Sequence, residues 1–225
     1  MQYFPEHKRY RTEREQLSLT QGVSRLVDHG ACPWQSWGKT EWRTMMATTA
    51  LSCRCGKVHL EVVDAPIISA ECHCHSCRDA ARRMAGLPGA SPITEPNGGT
   101  PFVMYRKDRV RITSGKEWLR NFRLAPDRQT RRVLATCCNT PVLLEFKGGH
   151  WASLYGTLWP EGARPAPDLR TVTGDVPDGV VLDDAVPAGR WPTTKFIGKL
   201  FAAWASMGFR APVLALDTPE ISVPA

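Results

Sequence analysis

The chain carries eight cysteines, and seven of them fall in tight groups: Cys53 and Cys55, then Cys72, Cys74 and Cys77, then Cys137 and Cys138. Sulfur this closely spaced can make disulfides or hold a metal. Neighbours in a CxC or vicinal pair cannot reach normal disulfide geometry with each other, although each could bridge to another group. The N-terminus, MQYFPEHKRYRTEREQ, is too charged for a secretory leader, which leaves disulfides without their usual compartment. Metal binding is the better reading, and zinc, which favours four tetrahedral ligands and binds thiolates well, is the expected ion, one or two per chain.

Two kinds of site are implied. Cys53-Arg54-Cys55-Gly56 offers half a zinc site, with Gly56 free to take the turn that brings both sulfurs to one side. Cys137-Cys138, about 80 residues later, can supply the rest. Adjacent strand residues point to opposite faces, so the backbone must bend there, and Asn139-Thr140-Pro141 favours a bend. Cys72-x-Cys74-x-x-Cys77 offers three thiolates within six residues. Three protein ligands leave a fourth position for water, a substrate thiol or another side chain. His73 and His75 lie inside the same segment and could complete the shell, which would make this site structural too.

The elements that must position these sulfurs read as β. Lys57–Val62 alternates polar and apolar; Phe102–Tyr105, Val110–Thr113, Trp118–Leu124, Arg132–Thr136, Val142–Phe146 and Trp151–Leu158 are further strand candidates. Cys72–Ala81 passes from the cysteine knuckle into a short helix. Short strands at this spacing predict a mainly β fold with a curled antiparallel sheet. Residues 160–190, rich in Pro, Gly and Asp, read as loop. Residues 193–209 read as a helix with Phe196, Leu200, Ala203, Trp204 and Met207 on one face, Thr194 as its cap and Gly208 as its end. The expected organisation is residues 1–44 as a disordered stretch or an extension from a mistaken start codon, 48–160 as the zinc domain, and 161–225 as a loop and C-terminal helix extension.

Composition narrows the function. Apolar residues make up 42% and charged residues 23%, as in a folded soluble protein, and no apolar run is long enough for a membrane span, so the expected location is the cytoplasm. The net charge of +7 concentrates in residues 51–160, where 16 basic groups face 9 acidic ones. Spread over so long a segment, this excess reads as solvated surface, and nucleic-acid binding is not expected. Arg120, Arg123, Arg128, Arg131 and Arg132 could clamp the carboxylates of a small ligand or meet phosphates; arginines on the wet face of a sheet also account for them. Trp118, Phe122, Trp151 and Tyr155 read as core, His150 as structural, and Cys32 as a bystander. No nucleophile elbow is present.

In order, Cys53-Arg54-Cys55-Gly56, Cys72-His73-Cys74-His75-Ser76-Cys77, Gly115 and Cys138-Asn139-Thr140-Pro141 resemble the glutathione-dependent formaldehyde-activating enzyme family, also called the centromere protein V or Gfa family, over about residues 50–150. The resemblance implies an Mss4-like fold of curled antiparallel sheets around zinc. It implies that Cys53, Cys55 and Cys138 match a structural zinc site, and that Cys72, Cys74 and Cys77 match a catalytic one with an open position. It further implies a carbon–sulfur lyase joining glutathione and formaldehyde as S-hydroxymethylglutathione. The chain departs from the family where Ala135 replaces the first cysteine of a CxxC pair and Asn139 replaces a glycine. Either Cys137 substitutes, or the site has three thiolates and another ligand. The alternative function is a non-catalytic, zinc-stabilised module that docks a protein or nucleic acid. The sequence sets no oligomeric state.

Overall fold

The structure, a computed structural model, describes residues 47–216 and 218–224. The expectations for residues 1–44, and for Cys32, lie outside the described residues.

Ten strands form two sheets, with one helix after the third strand and one near the C-terminus. The strands are β1 (Thr48–Ser52), β2 (His59–Val63), β3 (Ile68–Cys72), β4 (Thr100–Arg106), β5 (Val110–Ser114), β6 (Leu119–Phe122), β7 (Thr130–Ala135), β8 (Thr140–Phe146), β9 (Trp151–Tyr155) and β10 (Leu169–Thr171). The helices are α1 (His75–Ala85) and α2 (Arg190–Ser206). A small sheet runs β1-β2-β5 and a large one runs β10-β3-β4-β9-β8-β7-β6. The fold is therefore mainly β, with a C-terminal helix.

The large sheet is apolar on both faces, which explains why β4, β8 and β9 are buried nearly throughout. Period-2 alternation sends Val103, Val133, Leu143 and Leu154 to one core, shared with Leu51, Leu60 and Val62 of the small sheet. Their neighbours Phe102, Leu134, Leu144 and Tyr155 face a second core, closed by Cys77, Ala80, Ala81 and Met84 of α1. That spacing is one stripe of a helix.

Two departures concern the loop region. β10 lies within the segment read as loop, and it pairs in parallel with β3 in an otherwise antiparallel sheet. Three residues are too few to show a period, and its Arg170 looks like a solvent residue until its buried partners are seen. In α2, Leu200 is buried and Phe196, Ala203 and Trp204 are half-buried, and Met207, at its C-cap, is buried too, the face expected from spacing. Its N-cap is Gly189, four residues before the expected start. The Thr194 hydroxyl instead donates back to the Arg190 carbonyl at 3.0 Å, inside the helix. Gly208, at φ +63°, follows the last turn, as expected of a helix stop.

Candidate metal centres

The first centre joins two loops distant in sequence. After β1 the chain turns through Cys53–Gly56: the Gly56 amide donates to the Cys53 carbonyl at 2.9 Å, and Gly56 sits at φ +73°. Cys137 and Cys138 lie in the β7–β8 turn, not in a strand, and Asn139 at φ +53° provides the bend. The turn needs a left-handed residue, which asparagine tolerates better than most. The Arg54 amide donates to the Thr140 hydroxyl at 3.3 Å, and the Arg54 guanidinium donates to the Cys138 carbonyl at 3.4 Å, so both loops are held together by more than sulfur.

Cys53, Cys55, Cys137 and Cys138 bring their sulfurs within 4.8 Å of one another. Individual separations are 3.6 Å for Cys53–Cys55, 3.7 Å for Cys53–Cys137, 3.4 Å for Cys55–Cys137 and 3.9 Å for Cys137–Cys138. Four sulfurs at about 2.3 Å from a tetrahedral centre stand about 3.8 Å apart, so this donor set fits a zinc-sized ion. Cys137 lies within the group, while Ala135 is buried beneath it. Gly115 backs the centre: at φ +77°, a Cβ on it would lie 2.2 Å from the Lys57 carbonyl oxygen.

The second centre is local. Cys72 ends β3, Cys74 caps α1 and Cys77 lies in its first turn, with the Cys77 amide donating to the Cys74 carbonyl at 3.0 Å. Their sulfurs also lie within 4.8 Å of one another. Neither histidine of the segment joins them. His73 is fully buried and donates from Nε2 to Glu71 at 2.8 Å; His75 is exposed, its Nδ1 3.0 Å from an Arg78 guanidinium nitrogen. Among the described residues this group counts three protein donors against four in the first.

The thiols respond to crowding. Hydrogen bonds from Cys72 and Cys77, helped by amides at the start of α1, push Cys74 far down to about 2. Its neighbours' sulfurs and burial push Cys77 far up. In the other group Cys138 falls to about 6: burial opposes ionisation, but the Thr140 hydroxyl and the Cys55 amide outweigh it. Burial and the sulfurs of Cys55 and Cys53 push Cys137 up. Each cluster thus favours one thiolate and resists a second unless a cation neutralises the set.

Sequence reasoning missed what surrounds the second centre. Glu71 is buried and gathers His73, Asn97 at 2.7 Å and Arg170 at 3.3 Å, tying β3 to β10 behind the cysteines. Arg132, placed with the wet-face arginines, is 1% exposed. It donates to the Ser76 carbonyl at 3.0 Å, inside the cysteine segment, while its Nε and Nη1 have no partner. Strand parity is the signal that could have found it: Arg132 pairs with Phe122 and Leu144, both on the α1 side of the sheet. Phe122 and Tyr155 are core as expected, Trp151 is half-buried, and Trp118 is 38% exposed, a correction caused by its place in the turn before β6. His150 is structural, donating to the Leu200 carbonyl of α2 at 2.9 Å.

No helix among the described residues is long and apolar enough to cross a membrane. No curated protein matches the chain. Among solved structures, a Rhodobacter sphaeroides protein is similar at 18% identity over 63% of this chain and 100% of its own, with a TM-score of 0.38. The family model of the glutathione-dependent formaldehyde-activating enzyme matches residues 48–166, which contain both cysteine groups, and the chain belongs to that family.

Proposed function

We propose that the chain is a zinc enzyme acting as a carbon–sulfur lyase on the adduct of a small thiol and a small aldehyde, with glutathione and formaldehyde the first pair to test. The observation that carries the reading is the difference in donor count between the two centres. Four thiols from distant loops suit a closed, structural ion; three thiols at a strand–helix junction suit a working one. Cys53, Cys55, Cys137 and Cys138 would hold the first zinc, and Cys72, Cys74 and Cys77 the second. A bound zinc ion supplies Lewis acidity and a position for a fourth donor.

The rest of the work falls to the chain. The start of α1 places Cys74 where backbone amides favour its thiolate. Arg132 brings a positive charge into the apolar layer beside the knuckle, where three thiolates and a divalent ion together leave one negative charge to balance. Glu71 and Arg170 fix the strand end that carries Cys72. In the reaction the thiol sulfur bonds to the aldehyde carbon, and the thiol proton ends on the carbonyl oxygen. Residues 161–225 are read as an extension of the domain, and the free thiols of the described cysteines fit the reducing cytoplasm.

The test follows exchange between glutathione and formaldehyde by NMR, with and without zinc-loaded protein. Acceleration lost in Cys74→Ala supports the reading. Absence of acceleration by the loaded wild type overturns this activity and favours a binding module with two structural ions.

A further inference from the structure

Apart from Arg132, which reaches the cysteine knuckle, the arginine series singled out in the sequence serves neither cysteine centre. The structure separates its members. Arg132 turns inward, whereas Arg123, Arg128 and Arg131 converge on a cavity of about 360 Å³ together with Lys107 and Lys147. The cavity lies at the open end of the β7–β8 hairpin, where the Lys147 amide donates to the Gln129 carbonyl at 2.8 Å. Cys137 and Cys138 occupy the closed end, one strand length away, about 20 Å for β8.

Its electrostatics are unbalanced. Five basic side chains meet one lining carboxylate, Glu145, and a second, Glu220, at the edge, a surplus of three positive charges among the described residues. Lys107 and Glu145 are both buried and pair at 2.8 Å, and Arg131 pairs with the same carboxylate, so two cations share one anion at the cavity wall. Arg123 is met by Glu220 at 2.7 Å. Arg128 and Lys147 are exposed and make no ion pair among the described residues. Like charges gathered this way repel one another unless an anion enters. The cavity also has an apolar side, from the exposed ring of Phe146 and from Val213.

We propose that this cavity binds a nucleoside oligophosphate: linked phosphates between Arg123, Arg128, Arg131 and Lys147, and the base against Phe146. A terminal phosphate carries about −1.5 to −2 at neutral pH, so two or three linked phosphates match the surplus where a single carboxylate does not. Guanidinium forks take phosphate oxygens in pairs, and an aromatic ring stacks on a base whatever its identity. The inference stands apart from the metal reading and survives its failure.

Titration calorimetry of the whole chain with ADP, inorganic pyrophosphate and adenosine tests it, at low and at physiological salt. ADP should bind more tightly than pyrophosphate, adenosine should not bind, and affinity should fall as salt rises. The double variant Arg128→Glu, Lys147→Glu, both exposed positions, should lose at least tenfold in ADP affinity while keeping its melting temperature and its metal content. Phe146→Ala should bring ADP down to the affinity of pyrophosphate. No heat with millimolar ADP, or equal affinity in wild type and the double variant, overturns the proposal. So does a single-stranded oligonucleotide that binds far more tightly than ADP, which would make the surface a nucleic-acid groove.

Discussion

The two cysteine groups solve the same chemical problem from opposite ends of the chain's geometry. Cys53, Cys55, Cys137 and Cys138 come from two loops, one between β1 and β2 of the small sheet and one between β7 and β8 of the large sheet. An ion held there would cross-link residues 84 positions apart, from Cys53 to Cys137. Cys72, Cys74 and Cys77 come from one strand end and one helix start, and an ion there would close a loop of a few residues. Long closures add more stability than short ones. On the proposed reading, the first group would hold the fold, and the second would sit on a fold already held.

The comparison is open to attack in order of expected effect. Cys53→Ser should remove one equivalent of metal and most of the stability, about 5 kcal/mol or more of a total that is itself of that order; melting with and without chelator checks this. Cys74→Ala should also remove one equivalent but lower the melting temperature much less, and equal losses would erase the distinction. Gly115→Ala pushes a methyl group onto the Lys57 carbonyl beside the CxC loop, in a backbone region that resists side chains. It should cost about 2–4 kcal/mol in chemical denaturation while leaving the knuckle's metal in place.

Smaller effects separate the surroundings. Arg132→Met should weaken metal binding at the knuckle by about 10- to 100-fold in competition with a chromophoric chelator, without weakening the four-cysteine centre. Arg132→Lys should restore part of it, which a purely packing role would not produce. The smallest effect belongs to His150, remote from both groups. Burial, then the charge of Lys107, hold it below its usual value, while its hydrogen bond to Leu200 opposes them. The unfolded chain takes up this proton first, so the contribution is complete above about pH 6.5 and is lost as pH falls further. A small drop in melting temperature between pH 7 and 5.5, absent in His150→Gln, is expected.

Much of this was legible because sulfur spacing and strand alternation are local. The β4, β5, β7, β8 and β9 segments follow from their own apolar pattern, and the CxC, CxCxxC and vicinal pairs name their own group members. The turn at Asn139 could be anticipated from its residues. What could not be read depends on contacts across the chain. β10 earns its place from Arg170 reaching Glu71 on a neighbouring strand, and no window along the sequence contains both. Arg132 looks like Arg131 until strand parity and the α1 layer decide which one is buried. His73 resembles a ligand in a cysteine-rich string, yet Glu71, two residues earlier, takes its ring nitrogen.

The most direct test is zinc per chain, by elemental analysis of reduced, purified protein. The account predicts two equivalents in the wild type and one in Cys74→Ala, with the fold lost when a strong chelator strips the first centre. A reduced protein that holds no metal and stays folded in chelator, or native disulfides among these cysteines, would contradict it.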